Sequence, residues 1–184
     1  MKKRDYKLLQ SKVFLINLNL NPVKFFLKRY HSSDLRAREL KRMLNLWLPF
    51  IFNRVKILHI SENFTEAKVK LKHTIWNRNP NKALWGGAIF SAADSFYPVL
   101  LKQNALRKGI KTDFFTKSTT VNYIREAKTD LIFDFKLTED EIKNLFEILK
   151  KDGKYQEWHT VDGIDTFGKK CIEVQIQPYL RIRN

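Results

Sequence analysis

One cysteine is all that this chain of 184 residues contains, and a single thiol, Cys171, cannot close an internal disulfide. No group of His and Cys has metal-ligand spacing, so neither a disulfide scaffold nor a zinc site organises the fold, and no metal or other cofactor is expected. Six glycines and five prolines are too few for a linker-rich or collagenous chain. Nowhere do roughly 18 or more apolar residues run without interruption, which excludes a transmembrane helix. The opening stretch, MKKRDYKLLQSKVFLINLNLNPVKFF, is basic and then briefly apolar, but Asn17, Asn19 and Asn21 break the run. No small-residue cleavage site follows, so it does not read as a signal peptide. A reducing cytoplasmic setting fits these absences.

Acidic residues are scarce as well, with 19 Asp and Glu against 35 Lys and Arg and a net charge of +16. The excess is uneven: Met1 to Arg42 carries twelve basic and three acidic residues, 12 − 3 = +9. Such a front attracts polyanions, whether an anionic membrane surface, an acidic carrier protein, the phosphates of coenzyme A or nucleic acid. A solubilising basic face is the plainer reading of the same charge. Nucleic acid is the weakest of these partners, because no reader motif is present and the aromatics sit in core-like patterns instead of alternating along a basic strand.

What is abundant is aromatic and aliphatic side chain, with 14 Phe, 4 Trp and 43% apolar content, enough for one compact domain with a sizeable core. The sequence divides near Ser33 into a basic N-terminal extension, residues 1–33, and a regular remainder, residues 34–184. In the extension, Ile16, Leu18 and Leu20 alternate with asparagines like a strand. Ser33 and Asp34 are good N-caps, and Leu40, Met43, Leu44, Trp47 and Leu48 recur at helical spacing until Pro49 ends or bends the helix. Alternation at Val55 and Ile57, then at Ala67, Val69 and Leu71, predicts a hairpin turning at Ser61 to Asn63. Gly86 to Leu101 is small or apolar on all sides apart from Ser91, Asp94 and Ser95, which predicts one buried helix, bent by Pro98 near its fourth turn.

Strand patterns return at Lys117 to Ile124 and at Leu131 to Leu137. Thr138 and Glu141 then form a capping-box signature for a helix with an Ile142, Leu145, Phe146, Leu149 stripe and a stop at Gly153. Two last strands, Tyr155 to Val161 and Cys171 to Ile182, are joined by a loop holding Gly163 and Gly168. A long buried helix among mostly antiparallel strands predicts an α+β fold in which one sheet wraps around that helix.

The run NRNPNKALWGGAIFSAADSFYP, Asn77 to Pro98, resembles the signature segment of hotdog-fold thioesterases of the phenylacetate-pathway type. In that family an Asn is followed, six residues on, by a His-Gly-Gly that opens the central helix, with an Asp nine residues after the His. Asn79, Trp85-Gly86-Gly87 and Asp94 keep those spacings. FFTKSTTVNYI followed by FDFKLTEDEIKNL also resembles a less characterised bacterial branch of the superfamily. The resemblance runs from about Asp34 to the end and implies a hotdog domain that hydrolyses acyl-CoA or acyl-carrier thioesters as a homodimer or a dimer of dimers. Trp85 departs from the pattern, since it stands where the family carries a His that helps to position or polarise the substrate carbonyl.

The same residues speak for themselves chemically. Gly86 and Gly87 allow a ligand close to the backbone, and the first N–H groups of a helix have no intrahelical partner, so they can hold the oxyanion of thioester hydrolysis. Glycines there also suit tight packing against a sheet. Asp94 in an apolar helix demands compensation for its desolvation. It reads either as a general base or nucleophile of raised pKa or as a structural hydrogen-bonding residue. Asn79, held extended by Pro80, can orient water or substrate at the helix start or serve the RNPN turn. Ser91 lies on the Asp94 face, either supporting the carboxylate or simply packing, and Trp85 with Gly86 borders the substrate. Gly87 and Asp94, seven residues apart, are separated by about 10 Å along a helix. One reacting carbon therefore meets both only if two chains contribute. A hotdog domain that binds acyl thioesters or another apolar ligand without turnover is the alternative to a hydrolase.

Overall fold

The computed structural model describes residues 28–183, and the chain divides after Leu35 into two units, Met1–Leu35 and Arg36–Asn184. Of the first unit, a helical turn at residues 28–30 and an Arg29–Asp34 ion pair of 2.7 Å are described. The alternation at Ile16, Leu18 and Leu20 lies outside the described residues.

The first helix of the second unit starts later than its caps suggested. The carboxylate of Asp34 is taken up by Arg29 and by the Ser32 hydroxyl, so it does not cap. Helix α1 runs Ala37–Asn45 from an N-cap at Arg36, whose backbone N–H and guanidinium both reach Glu39. Leu40 and Leu44 are buried beneath it. Pro49 does not merely end this helix but opens a second, α2, Leu48–Phe52, in which Phe50 alone is buried and stacks on Phe96 at 5.7 Å. Proline suits a first helical turn because the missing N–H has no partner there anyway.

Seven antiparallel strands form one sheet in the order β1-β2-β4-β6-β7-β3, with β5 pairing to β7. They are β1 Val55–Ile60, β2 Glu66–Leu71, β3 Thr112–Tyr123, β4 Leu131–Lys136, β5 Lys154–Tyr155, β6 His159–Asp165 and β7 Lys170–Ile182. On β4, Leu131, Phe133 and Phe135 are buried while Asp134 and Lys136 face out, the two-residue period read from sequence. The outer edge of β1 is closed by α1. Asn45 accepts from Ile57 N–H (2.9 Å) and donates to Ile57 O (3.0 Å), reproducing a ladder pair with one side chain, and Lys41 donates to Leu58 O beside it. An edge strand so covered offers no template for pairing with another chain.

Helix α3, Gly86–Ala93, and helix α4, Phe96–Arg107, form the central helix on the inner face of the sheet. The expected single helix is interrupted at Asp94 and Ser95, earlier than the bend placed at Pro98. The reason is backbone chemistry: a proline at position i leaves the carbonyl at i−4 without its partner, so the disturbance falls on Asp94. Beyond the break, Phe96 to Gln103 are all buried, Lys102 included. Burial and the charge of Arg183 push the pKa of Lys102 down to about 7, and its ammonium lies 5.5 Å from the centre of the Phe114 ring.

Helix α5, Glu139–Asp152, is capped as its sequence indicates, with Thr138 Oγ1 accepting from Glu141 N–H (3.2 Å) and Gly153 in the left-handed region at φ 66°. The final strands differ from expectation at two points. Tyr155 to Val161 is not continuous, β5 and β6 being separate, and Gly163 belongs to β6, not to the following loop. Its missing side chain gives room to Phe133, whose ring edge would lie 2.9 Å from a Cβ at that position.

Candidate functional site

The start of α3 is positioned by a buried asparagine that sequence reasoning passed over. Asn77 uses both ends of its amide: Oδ1 accepts from Thr74 N–H and Oγ1, each at 2.9 Å, while Nδ2 donates to Lys72 O (2.8 Å) and Asn53 O (3.1 Å). Its carbonyl accepts from Trp85 N–H at 2.9 Å, and Leu84 N–H bonds to Ala127 O at 2.8 Å. The residue that caps the helix is thereby held in place.

Trp85 is the N-cap and contributes no side-chain bond. The N–H groups of Ala88 and Ile89 both turn back to Trp85 O, and those of Gly86 and Gly87 find no acceptor among the described residues. Two donors at the positive end of a helix are thus without a partner among the described residues. Each glycine lets an exposed aromatic side chain lie close to it. A Cβ on Gly87 would come within 2.5 Å of the Trp85 ring, which folds back over it, and a Cβ on Gly86 would come within 2.9 Å of the Tyr123 hydroxyl. Trp85 and Tyr123 both remain exposed.

Asp94 lies at the other end of α3, half-buried. Its carboxylate accepts from the Thr119 hydroxyl at 3.2 Å, and its backbone carbonyl, orphaned by Pro98, accepts from the Thr116 hydroxyl at 3.3 Å. Burial raises its pKa, against the lowering effect of the two threonine hydroxyls. Ser91 gives its proton to Gly87 O at 2.8 Å and not to the carboxylate. Gly87, Ser91 and Asp94 share one stripe of the helix. Asn79 lies in the turn before α3, where Oδ1 accepts from Ala83 N–H at 3.1 Å.

Both threonines reach Asp94 because β3 carries a bulge. Thr116 pairs with Pro178 and Ser118 with Gln177, leaving Lys117 as an extra residue. In a regular strand residues three apart point to opposite faces, and the inserted residue brings them to the same one. Within one chain, then, the glycine amides and the carboxylate stand at opposite ends of α3. Among the described residues no cluster of three His, Cys, Asp or Glu side chains offers a metal site.

A seven-stranded antiparallel sheet packed on one central helix is the hotdog fold, and solved structures of that class match along most of this chain. A Pseudomonas aeruginosa protein described as a probable thioesterase aligns with a TM-score of 0.66 at 18% identity, over 79% of this chain and 96% of its own. A Chlorobaculum tepidum protein of unknown function gives 0.68 at 15% identity, over 84% and 99%. The PaaI protein of the Escherichia coli phenylacetic acid degradation operon gives 0.57 at 15% identity, over 84% and 96%. The chain belongs to the family described as Domain of unknown function (DUF4442), which matches residues 36–180. No curated protein matches it by sequence.

Proposed function

We propose that the chain is an acyl-thioester hydrolase working as a dimer or a dimer of dimers, in which α3 of one protomer supplies the Gly86 and Gly87 amides and Asp94 comes from its partner. The observation that carries this reading is the Asp94 carboxylate: half-buried, raised in pKa and held by Thr119, on the same helix stripe as Gly87, one of the two glycines whose amides are unbonded among the described residues. As a general base it takes a proton from water as the oxygen adds to the thioester carbon. The carbonyl oxygen gains charge against the amides, the C–S bond breaks, and the proton passes to the departing thiolate. As a nucleophile it forms a mixed anhydride with loss of thiol, which water then cleaves.

The basic residues attract a phosphorylated carrier such as coenzyme A, or an acidic acyl-carrier protein, and the basic N-terminal extension also suits contact with an anionic membrane surface. In this reading Asn79 orients water or the carbonyl through its amide Nδ2. Ser91 and Trp85 border the acyl group.

A second reading has its own observation. Trp85 stands where relatives of the resembled type carry histidine, and its ring fills the space beside Gly87, which suits a domain that holds acyl thioesters without turnover. Hydrolysis of a panel of acyl-CoA thioesters by the wild-type chain and by Asp94→Asn decides between them. Turnover that drops about 10²- to 10⁴-fold in the variant supports the hydrolase. Binding of the same thioesters with no turnover in either supports the second reading.

A further inference from the structure

We infer that the corner formed by α2 and the short 3-10 turn Ile75–Asn77 is a docking face for an anionic lipid bilayer, distinct from the α3 site and independent of its chemistry. The segment around α2 is apolar and outward-facing: Leu46 is 74% exposed, Leu48 62% and Phe52 73%, with Trp47 beside them. Across from it stand Ile75, 69% exposed, and Trp76, 78% exposed. The two halves are joined at their roots. Asn77 Nδ2 donates to Asn53 O at 3.1 Å, and Lys72 N–H bonds to Arg54 O at 3.1 Å, so Phe52 and Trp76 each adjoin a residue of one shared hydrogen bond. Single exposed apolar residues are ordinary on a soluble surface, but a contiguous set of this kind marks an interaction face.

Three features select a bilayer as the occupant. Side chains more than two-thirds exposed stand proud of the surface, which suits shallow insertion and not the seating of a partner's anchor residue. The mixture of Trp with Leu, Ile and Phe is that of a membrane interface, where amphipathic rings lie at headgroup depth.

Much of the backbone of α2 is satisfied within its own segment, which lowers the cost of contact with lipid. Phe50 and Ile51 N–H bond to Trp47 O, Asn53 N–H to Pro49 O and Arg54 N–H to Ile51 O. Asn53 Nδ2 also donates to Pro49 O at 2.9 Å, and Pro49 has no N–H to lose.

Charge agrees with geometry. The stretches Leu40 to Ile60 and Ala67 to Ala93 contain no Asp or Glu at all. Arg42, Lys56, Lys72, Arg78 and Lys82 are exposed on them, and none is in a salt bridge among the described residues. An apolar tip flanked by these exposed cations is complementary to anionic headgroups, and the Asp130 carboxylate that reaches His73 N–H beside the turn is already paired with Lys70.

The test uses the full chain with vesicles of phosphatidylcholine, with and without phosphatidylglycerol, in co-sedimentation. The wild type should partition to the anionic vesicles. The double variant Phe52→Ser with Trp76→Ser should lose at least about tenfold in partition, while melting temperature and hydrolysis of a soluble acyl-CoA stay unchanged. Phe52→Leu with Trp76→Phe should keep most of the binding. Equal partition of wild type and the serine variant would overturn the inference, because charge elsewhere in the chain would then suffice. So would no binding at low salt, or dissociation of an oligomer by the serine variant, which would assign the face to a second copy of the chain.

Discussion

Pro98 stands four residues after Asp94, and the N–H it lacks is the one that would have satisfied the Asp94 carbonyl; the Thr116 hydroxyl, 3.3 Å away, takes that place. The break in the central helix and the seating of the carboxylate are thus one event. Pro98→Ala should restore the helical bond, make α3 and α4 continuous and stabilise the fold by roughly 1 kcal/mol, well under the penalty for a mid-helix proline, because Pro98 lies in the first turn of α4. It should also move the carboxylate and lower thioester hydrolysis. Thr116→Val, which leaves the carbonyl unsatisfied, should cost about 1–2 kcal/mol. Thermal melts read beside initial rates separate the two effects.

Asp94→Asn should raise thermal stability while removing activity. Burial sets the folded pKa of Asp94 above that of the unfolded chain. Between those two values the native state binds the extra proton, so stability falls as pH rises through the folded pKa, and at neutral pH the ionised carboxylate is a burden. An amide carries no such burden and still accepts from Thr119. For the wild type, rate should fall with acidification at a pH above the ordinary carboxylate range, because the base must be ionised. A melting temperature of Asp94→Asn below that of wild type at neutral pH would contradict this account.

Much of this arrangement is legible in the chain, and the limits have physical causes. Thr138, Glu141 and Gly153 announce α5 because caps are local, and the alternation at Leu131 to Leu137 announces β4 because one face is buried. Gly86, Gly87 and Asp94 stand out as anomalies in an apolar run. Thr119 does not, since a two-residue period extended from Thr116 places it on the wrong face, and only the bulge at Lys117 corrects this. Asn77 has a loop sequence but partners up to 24 residues away in Asn53. Gly163 reads as a turn because nothing local indicates that Phe133 will fill its space.

Gly87→Ala isolates the role of the Trp85 ring. The added methyl would lie 2.5 Å from Cη2 of Trp85, so the exposed indole must swing away, while alanine suits a helix better than glycine by about 0.5–1 kcal/mol. The melting temperature should therefore change little, and the tryptophan emission should shift. In the background of Trp85→Ala the same substitution should be stabilising. Hydrolysis should fall in both backgrounds, because the methyl blocks approach to the amides. Undiminished hydrolysis by Gly87→Ala would remove these amides from the mechanism.

His159 gives the fold an acid limit. Its ring is buried, stacked on Tyr97 at 4.7 Å between centroids, with Nδ1 3.0 Å from Glu141 Oε1 and Nε2 3.0 Å from the Tyr155 hydroxyl. A carboxylate only accepts, so Nδ1 carries the proton, and a neutral ring then accepts at Nε2 from Tyr155. Burial lowers the pKa of His159 against the opposing pull of Glu141. The unfolded chain thus takes up a proton near the usual histidine value, while the native state resists until lower pH. Stability should decline as pH falls through that window, before the carboxylates titrate. His159→Phe keeps the stacking but leaves the buried Tyr155 hydroxyl without its acceptor, so it should melt lower at every pH, with a flatter dependence between neutral pH and pH ~5. The slope is the measurement that matters, and an equal slope in wild type and variant would place the acid sensitivity elsewhere.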